Sequence, residues 1–206
     1  MSDEVAFMKK GKSTKKKLEP FEIGELDQYL FGQGNHYEIY EKMGAHKVVY
    51  KGQEGVYFAV WAPNARRVAV VGDFNGWDFE ANYMERQEPV GIYTCFVPGV
   101  KEGDLYKFCI ETQQGKRIFK ADPFANYAEL RPGTASRVAD ISHLKWTDET
   151  WMTRRATWDH KKNPMSIYEV HLGSWMRHPG RDDEGFYTYR EFADAIVKYV
   201  KDMGYT

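Results

Sequence analysis

The sequence predicts a mainly β protein in which an antiparallel β-sandwich is followed by one β-α unit. From residue 46 onward, short runs rich in Val, Ile, Tyr and Phe alternate with turn-forming pairs such as Asn75-Gly76 and Pro98-Gly99, a spacing typical of antiparallel sandwiches. Residues 165–172 predict a single strand, and apolar residues recur at helical spacing over 187–203. A strand, a long loop and a helix in that order indicate one unit of a parallel α/β domain.

The strands of the sandwich are predicted from apolar runs bounded by turn signals. They cover residues 48–50, 56–62, 67–72, 92–97, 105–112 and 117–119. The two cysteines, Cys95 and Cys109, flank the turn at 98–104 and are spaced to face each other across a hairpin. Because two cysteines make neither a disulfide framework nor a metal site, two reduced, half-buried thiols are predicted.

Three segments outside the sandwich differ from it in composition. Residues 1–17 hold six Lys against two acidic residues and are predicted to be a disordered basic tail. Residues 18–45 predict a helical lead-in, and residues 126–164, which are rich in Pro and Gly breakers, predict an irregular connector. The sandwich is thereby placed at residues 46–125 and the β-α unit at residues 165–206.

Charge and hydropathy argue against several classes of function. The chain has a net charge of −1; the tail contributes +4, so residues 18–206 carry −5. Nucleic-acid binding is not expected, because phosphate recognition requires a basic face. No stretch approaches ~18 consecutive apolar residues, so no membrane span is expected. The tail lacks the apolar run of a signal peptide, and a cytoplasmic location is expected. The histidines show no metal-ligand spacing.

Several motifs, in their order and spacing, carry a family resemblance over roughly residues 20–206. They are KMGAH at 42–46, FAVWAPNA at 58–65, VVGDFNGWD at 70–78, KADPFA at 120–125, ELRP at 129–132 and IYEVHLGSW at 167–175. Together they resemble bacterial glycogen branching enzymes. The sandwich motifs alone also fit isoamylase-type debranching enzymes and the glycogen-binding subunit of an energy-sensing kinase. The GAH lead-in and the strand that ends in GSW favour the branching enzymes.

The resemblance implies both a fold and an activity. Residues 46–125 would be an immunoglobulin-like β-sandwich of carbohydrate-binding module family 48. Residues 165–206 would be the first strand and helix of a truncated (β/α)8 barrel of glycoside hydrolase family 13. Branching enzymes transfer α-1,4-glucan chains to 6-hydroxyls by double displacement, using two carboxylates and no cofactor. The family places its catalytic carboxylates on later barrel strands. No catalytic residue is therefore assigned, and the chain alone is expected to be inactive.

The resemblance also implies a glycan site, for which α-glucan such as glycogen or a malto-oligosaccharide is the expected ligand. The matching residues are Trp77 as a stacking ring, Lys107 as a hydroxyl donor and Phe119 as a second ring. Phe119 stands where the family usually has Trp, which implies a smaller stacking face. Asn75 is expected either to add a polar contact or to form the turn. A stand-alone glycan-binding module remains an alternative to the enzyme fragment.

Other conspicuous residues receive structural interpretations. Trp61 is expected in the sandwich core, beside Phe58 and Val60. Glu169 and His171 alternate on the predicted barrel strand and are interpreted as a polar pair, because the family places its catalysts elsewhere. The helix at 187–203 is expected to pack its apolar stripe on the module or on a second copy, so self-association is a further expectation.

Overall fold

The computed structural model describes residues 18–159, 161–181 and 185–206, so the predicted tail at 1–17 lies outside the described residues. The chain divides into two compact units, Met1–Leu144 and Lys145–Thr206. The helices are α1 (Glu25–Gly32), α2 (Glu149–Thr157), α3 (Leu172–Trp175) and α4 (Tyr189–Asp202). The strands are β1 (Gly44–Tyr50), β2 (Gln53–Trp61), β3 (Arg67–Gly72), β4 (Glu85–Gln87), β5 (Ile92–Pro98), β6 (Leu105–Glu111), β7 (Arg117–Lys120), β8 (Tyr127–Ala128) and β9 (Ser136–Arg137).

The strands of the first unit form two antiparallel sheets. The first sheet has the order β1-β2-β5-β4 and the second β3-β6-β9-β8, with β7 paired to the end of β6 that β9 leaves free. Lys51 and Gly52 connect β1 to β2, and both have positive φ angles. Two consecutive residues with positive φ form a tight turn whose twist matches that of the two strands it joins, so β1 and β2 form a two-residue hairpin.

The core lies between the two sheets. It consists mainly of the inward-facing residues of β2, β3, β5 and β6, among them Val56, Phe58, Val70, Tyr106 and Phe108. Inward and outward residues alternate along each strand, as expected when two sheets pack face to face. The mainly β sandwich that the sequence predicts is confirmed.

The lead-in packs on the outer face of the first sheet. Ile23, Ile39 and Met43 form a second apolar cluster with outward-facing residues of β2 and β5. The Asp27 carboxylate accepts a hydrogen bond from the Gly24 amide at 2.8 Å at the start of α1. This contact closes the first turn of a helix that contributes one wall of a surface cleft described below.

The cysteines do not face each other. Cys95 lies on β5 in the first sheet, whereas Cys109 lies on β6 in the second, and both are free thiols. The hairpin suggested by their spacing is wrong, because the turn between β5 and β6 crosses from one sheet to the other. Burial raises the pKa of the Cys95 thiol to about 12, and burial also raises that of Cys109.

The segment predicted as an irregular connector contains regular elements. It includes β8 and β9, which extend the second sheet, and the helix α2. The two-residue strands are too short for an alternating pattern to indicate them. Helix α2 has no buried residue. A helix that buries no face does not need an apolar stripe, so no helical period in the sequence indicates it.

In the second unit the predicted strand is not paired as a ladder. Residues 164–170 have no assigned strand, and α3 begins at Leu172. A β-ladder needs repeated backbone hydrogen bonds to a neighbouring strand. Here the Thr206 amide donates to the Ser166 carbonyl oxygen at 3.3 Å. The Ser166 amide in turn donates to Thr206 Oγ1 at 2.8 Å.

Helix α4 begins at Tyr189, two residues after the start of the predicted helix at residue 187. Thr188 and Glu191 form a capping box at this end. The expectation that its stripe packs on the module or on a second copy stays a prediction, and the contacts described for its aromatic residues are with their own unit. Tyr199 lies 5.4 Å from Tyr168 and 5.7 Å from Trp175 between ring centroids. Tyr168 lies in the segment predicted as the strand and Trp175 lies in α3, so both segments pack against α4.

Candidate functional site

Trp77 is presented by a tight turn at the end of β3. The chain leaves the strand at Gly72, makes a 3-10 turn over Asp73–Asn75 and then takes two left-handed residues, Gly76 with φ +62° and Trp77 with φ +63°. The Trp77 amide donates to the Gly72 carbonyl oxygen at 3.0 Å and so closes the loop. The indole remains 37% exposed.

Asn75 holds this turn together. Its Oδ1 accepts from the Gly72 amide at 2.9 Å, and its Nδ2 donates to the Val70 carbonyl oxygen at 3.0 Å and to Asn82 Oδ1 at 2.7 Å. Both amide hydrogens are therefore engaged within the protein. Of the two roles expected for Asn75, turn formation is the one these contacts perform.

Asp73 fixes the indole, a role that the sequence patterns did not indicate. Its Oδ1 accepts from Trp77 Nε1 at 3.2 Å, while its Oδ2 accepts from the backbone amide of Leu105 at 2.9 Å. One carboxylate thus connects the ring to the first residue of β6. The only signal in the sequence is an Asp at the start of a turn, which is too common to mark such a role.

Lys107 and Phe119 lie on the outer face of the second sheet. Lys107 of β6 is paired with Val71 of β3, and Phe119 of β7 is paired with Cys109 of β6. Because Tyr106 and Phe108 point into the core, the intervening residues of β6 must point outward. The Lys107 ammonium donates to Thr134 Oγ1 at 2.7 Å, and the Phe119 ring is exposed.

The structure places Lys107 on β6, Phe119 on the adjacent β7 and Trp77 in the turn that follows β3. Lys107 and Phe119 share a face of adjacent strands, with Cys109 between them. Trp77 is tied through Asp73 to Leu105, two residues before Lys107. Trp77 and Phe119 carry exposed rings and Lys107 carries an ammonium group, and these three side chains are called the platform.

Beyond Phe119, a network of charged and aromatic side chains covers the outer face of the second sheet. The Arg117 guanidinium lies 3.9 Å from the Phe79 ring centroid and 2.6 Å from Glu80 Oε1. A hydrogen bond from Tyr83, followed by the contacts from Arg117, lowers the pKa of Glu80. These side chains satisfy one another, so the open platform ends near Phe119.

The polar pair of the second unit forms no comparable site. His171 Nδ1 lies 3.0 Å from Ser174 Oγ, within the first turn of α3, and Glu169 is exposed. Within residues 18–159, 161–181 and 185–206, no group of three His, Cys, Asp or Glu side chains is arranged to hold a metal ion. In the same ranges, no helix is long and apolar enough to cross a bilayer.

Trp61 is not in the core, contrary to the expectation from sequence. Phe58 and Val60 of β2 point inward, and the alternation sends Trp61 to the outer face, where it is 53% exposed. Its Nε1 donates to the Val90 carbonyl oxygen at 2.9 Å. The period-2 pattern of the strand would have predicted this position had it been applied to the last residue.

Comparison with known proteins places the first unit in a family. Residues 42–125 match the family described as carbohydrate-binding module 48 (isoamylase N-terminal domain). The segment is a family 48 carbohydrate-binding module. This module contains Trp77, Lys107 and Phe119, and it begins between α1 and β1 and ends before β8.

Curated relatives extend the similarity beyond the module. The chain is 57% identical over 184 residues to a 1,4-alpha-glucan branching enzyme GlgB of Butyrivibrio fibrisolvens, covering 89% of this chain and 29% of the relative. It is 49% identical to the enzyme of the same name from Protochlamydia amoebophila, covering 89% of this chain and 25% of the relative. The resemblance to glycogen branching enzymes is confirmed. The chain spans between a quarter and a third of the length of these relatives.

Proposed function

We propose that the module binds α-1,4-linked glucan on the platform formed by Trp77, Lys107 and Phe119. The observation that carries the proposal is the backbone of Trp77. A side chain other than glycine in the left-handed region costs roughly 1–2 kcal/mol, and here the strained residue presents a large ring to solvent. Strain of this kind is found where a side chain has a function, and no core contact requires the Trp77 ring.

The chemistry of the platform suits a glucan. The C–H faces of glucose pack on aromatic rings, and its hydroxyls need donors and acceptors at the edge of the contact. Trp77 and Phe119 supply the rings. The Lys107 ammonium supplies donors, one of which now bonds Thr134 and leaves others for a sugar hydroxyl.

We further propose that the protein is part of a cytoplasmic 1,4-α-glucan branching enzyme. Such an enzyme cuts an α-1,4 link through a covalent glucosyl intermediate and transfers the severed chain to a 6-hydroxyl, with two carboxylates about 5–5.5 Å apart. No residue of this chain is assigned to that chemistry. The module would hold polymer for a catalytic barrel. Self-association through exposed side chains such as Val197 of α4 and Met203 at its C-terminal cap stays part of the proposal.

The proposal is tested by titrating the 15N-labelled chain with maltoheptaose and following the backbone amides of Lys107 and Phe119. Both amides are expected to shift in the native chain. In Trp77→Ala the apparent affinity at these amides should fall at least about tenfold, since about 1.4 kcal/mol of stacking is removed. Trp146→Ala, which removes an exposed Trp of the second unit, is the control and should leave the titration unchanged.

Two results would contradict the proposed site. One is a native chain whose Lys107 and Phe119 amides do not respond to saturating maltoheptaose. The other is an unchanged affinity in a folded Trp77→Ala variant. The first result would show that this face of the sheet does not bind the glucan, and the second that Trp77 does not contribute to its binding.

A further inference from the structure

A second cleft lies on the opposite side of the sandwich from Trp77. It has a volume of about 290 Å³ and is formed between helix α1 and the turn that precedes β5. Gln28, Tyr29 and Gln33 line it from the helix, and Glu88 and Pro89 line it from the turn. Because α1 covers the outer face of the first sheet, this cleft and the Trp77 platform face opposite directions.

Exposed aromatic rings border the cleft. Tyr29 lines it and is 65% exposed. Trp61 adjoins it, because the indole donates to the carbonyl oxygen of Val90, another lining residue. The Phe31 ring packs edge-on against the Trp61 ring at 5.8 Å and holds it in place. Large rings that are fixed and yet half in solvent are suited to contact a ligand with apolar faces.

The inner end of the cleft holds an unmatched polar group. Gln28 is only 8% exposed, and its Oε1 has no hydrogen-bond partner among the residues that the structure describes. A buried acceptor without a donor is unfavourable in a folded protein. Gln28 is among the residues that line the cleft, and a ligand hydroxyl there would supply the missing donor.

The charges around the cleft select the class of ligand. Glu25 and Glu88 line it, and Glu88 Oε1 is paired with Arg86 Nε at 2.6 Å. No Lys, Arg or His is among the lining residues in the part of the chain that the structure describes. An anionic ligand would be repelled, whereas carboxylate and amide oxygens accept hydrogen bonds from neutral hydroxyls. Aromatic rings beside carboxylates and amides therefore indicate a neutral polyhydroxyl compound.

We propose that this cleft is a second α-glucan site, with Tyr29 as the stacking ring and Gln28 as the polar contact. The choice of α-glucan among neutral carbohydrates rests on the function proposed above. Two sites on opposite faces of one module would let it hold two chains, or two segments of one polymer. Binding at both would be tighter than at either alone.

The test uses the same titration of the full chain with maltoheptaose, followed at the side-chain amides of Gln28 and Gln33. Both signals are expected to shift in the native chain and in Trp77→Ala. In Tyr29→Ala they should lose at least about tenfold in apparent affinity, while Lys107 and Phe119 respond as before. Tyr37→Ala is the matched control, because Tyr37 belongs to the same lead-in, is 83% exposed and does not line the cleft.

This experiment distinguishes failure of the second site from failure of the Trp77 platform. If Lys107 and Phe119 respond but Gln28 and Gln33 stay still, or respond equally in Tyr29→Ala, the second site is overturned and the first stands. If only the glutamine signals respond, the Trp77 platform is overturned and the second site stands. A response of the glutamines to cellohexaose as strong as to maltoheptaose would overturn the assignment to α-glucan.

Discussion

Gly72 and Gly76 stand four residues apart in the turn that carries Trp77, and they are constrained for different reasons. Gly72 is extended, and a Cβ there would lie inside van der Waals contact of the Leu105 carbonyl oxygen. Gly76 has φ +62° with nothing within 4 Å of its Cβ position. The first glycine is required by a close approach of two strands, and the second by its backbone angle alone.

Alanine at the two positions is expected to have different effects. Gly72→Ala should lower the free energy of unfolding by about 2–3 kcal/mol, because backbone atoms of β6 must move. Gly76→Ala should lower it by about 1 kcal/mol, since only the left-handed conformation is penalised. Urea denaturation of the two variants measures both values. Equal losses would show that the approach of β3 to β6 at Gly72 is not tight.

At the scale of the element, α1 is held to the module by a small polar cluster. Asp27 accepts from the Lys42 ammonium at 2.7 Å, and His36 Nε2 lies 2.8 Å from its other oxygen. Partial burial alone would raise the pKa of Asp27, but the hydrogen bonds from Lys42, His36 and Gly24 outweigh it and lower the pKa below 3.8. The cluster connects the start of α1 to Lys42, two residues before β1.

Asp27→Asn is expected to lower the free energy of unfolding at pH 7 by about 1–3 kcal/mol, because a charge-assisted contact is lost. Because the pKa of Asp27 is lower in the folded state than in the unfolded state, its ionised carboxylate stabilises the fold at pH values above 3.8, the unfolded pKa. This stabilisation is lost as the pH falls through the folded pKa. The difference in the free energy of unfolding between the native chain and Asp27→Asn should therefore become smaller at acidic pH. Chemical denaturation from pH 7 to pH 3 measures it, with the exposed Glu38→Gln as control. A difference that does not change with pH would contradict the assigned ion pair.

Sequence patterns predicted the long strands and the Trp77 turn but not the cleft beside α1. Strands β2, β3, β5 and β6 contain apolar runs that are bounded by turn-forming residues, so each is visible in the sequence. The short β4 has only three residues, so no period can appear in it. The cleft depends on how α1 lies against a turn some 60 residues later in the chain. Such a long-range contact leaves no local pattern.

At the scale of the whole molecule, the hydrophobic core belongs to the first unit. Among the described residues, every buried hydrophobic side chain lies between Ile23 and Val138. The second unit has aromatic contacts, such as Trp175 with Phe192 at 5.3 Å, but no buried hydrophobic side chain in the part of it that the structure describes. Burial of apolar surface is the main favourable term in folding, so the two units are expected to differ greatly in stability.

A chain ending at Leu144 is therefore expected to fold and to keep both glucan responses. Its thermal midpoint should lie within a few degrees of the first unit's transition in the full chain, because the removed residues contribute no buried apolar side chain. Circular dichroism and the maltoheptaose titration check this. The reciprocal piece, residues 145–206, should show no cooperative transition. Loss of the fold on removal of residues 145–206 would contradict the independence of the first unit.

The three hydrogen bonds of Asn75 have a consequence for chemical ageing. Asn followed by Gly is the pair most prone to deamidation, in which the following backbone nitrogen attacks the side-chain carbonyl carbon and releases ammonia. Here the side-chain oxygen and both amide hydrogens are bound to Gly72, Val70 and Asn82, so the attack geometry is out of reach while the turn is intact. The folded turn thus protects Asn75 from deamidation, and the extent of deamidation at Asn75 would measure how often the turn opens.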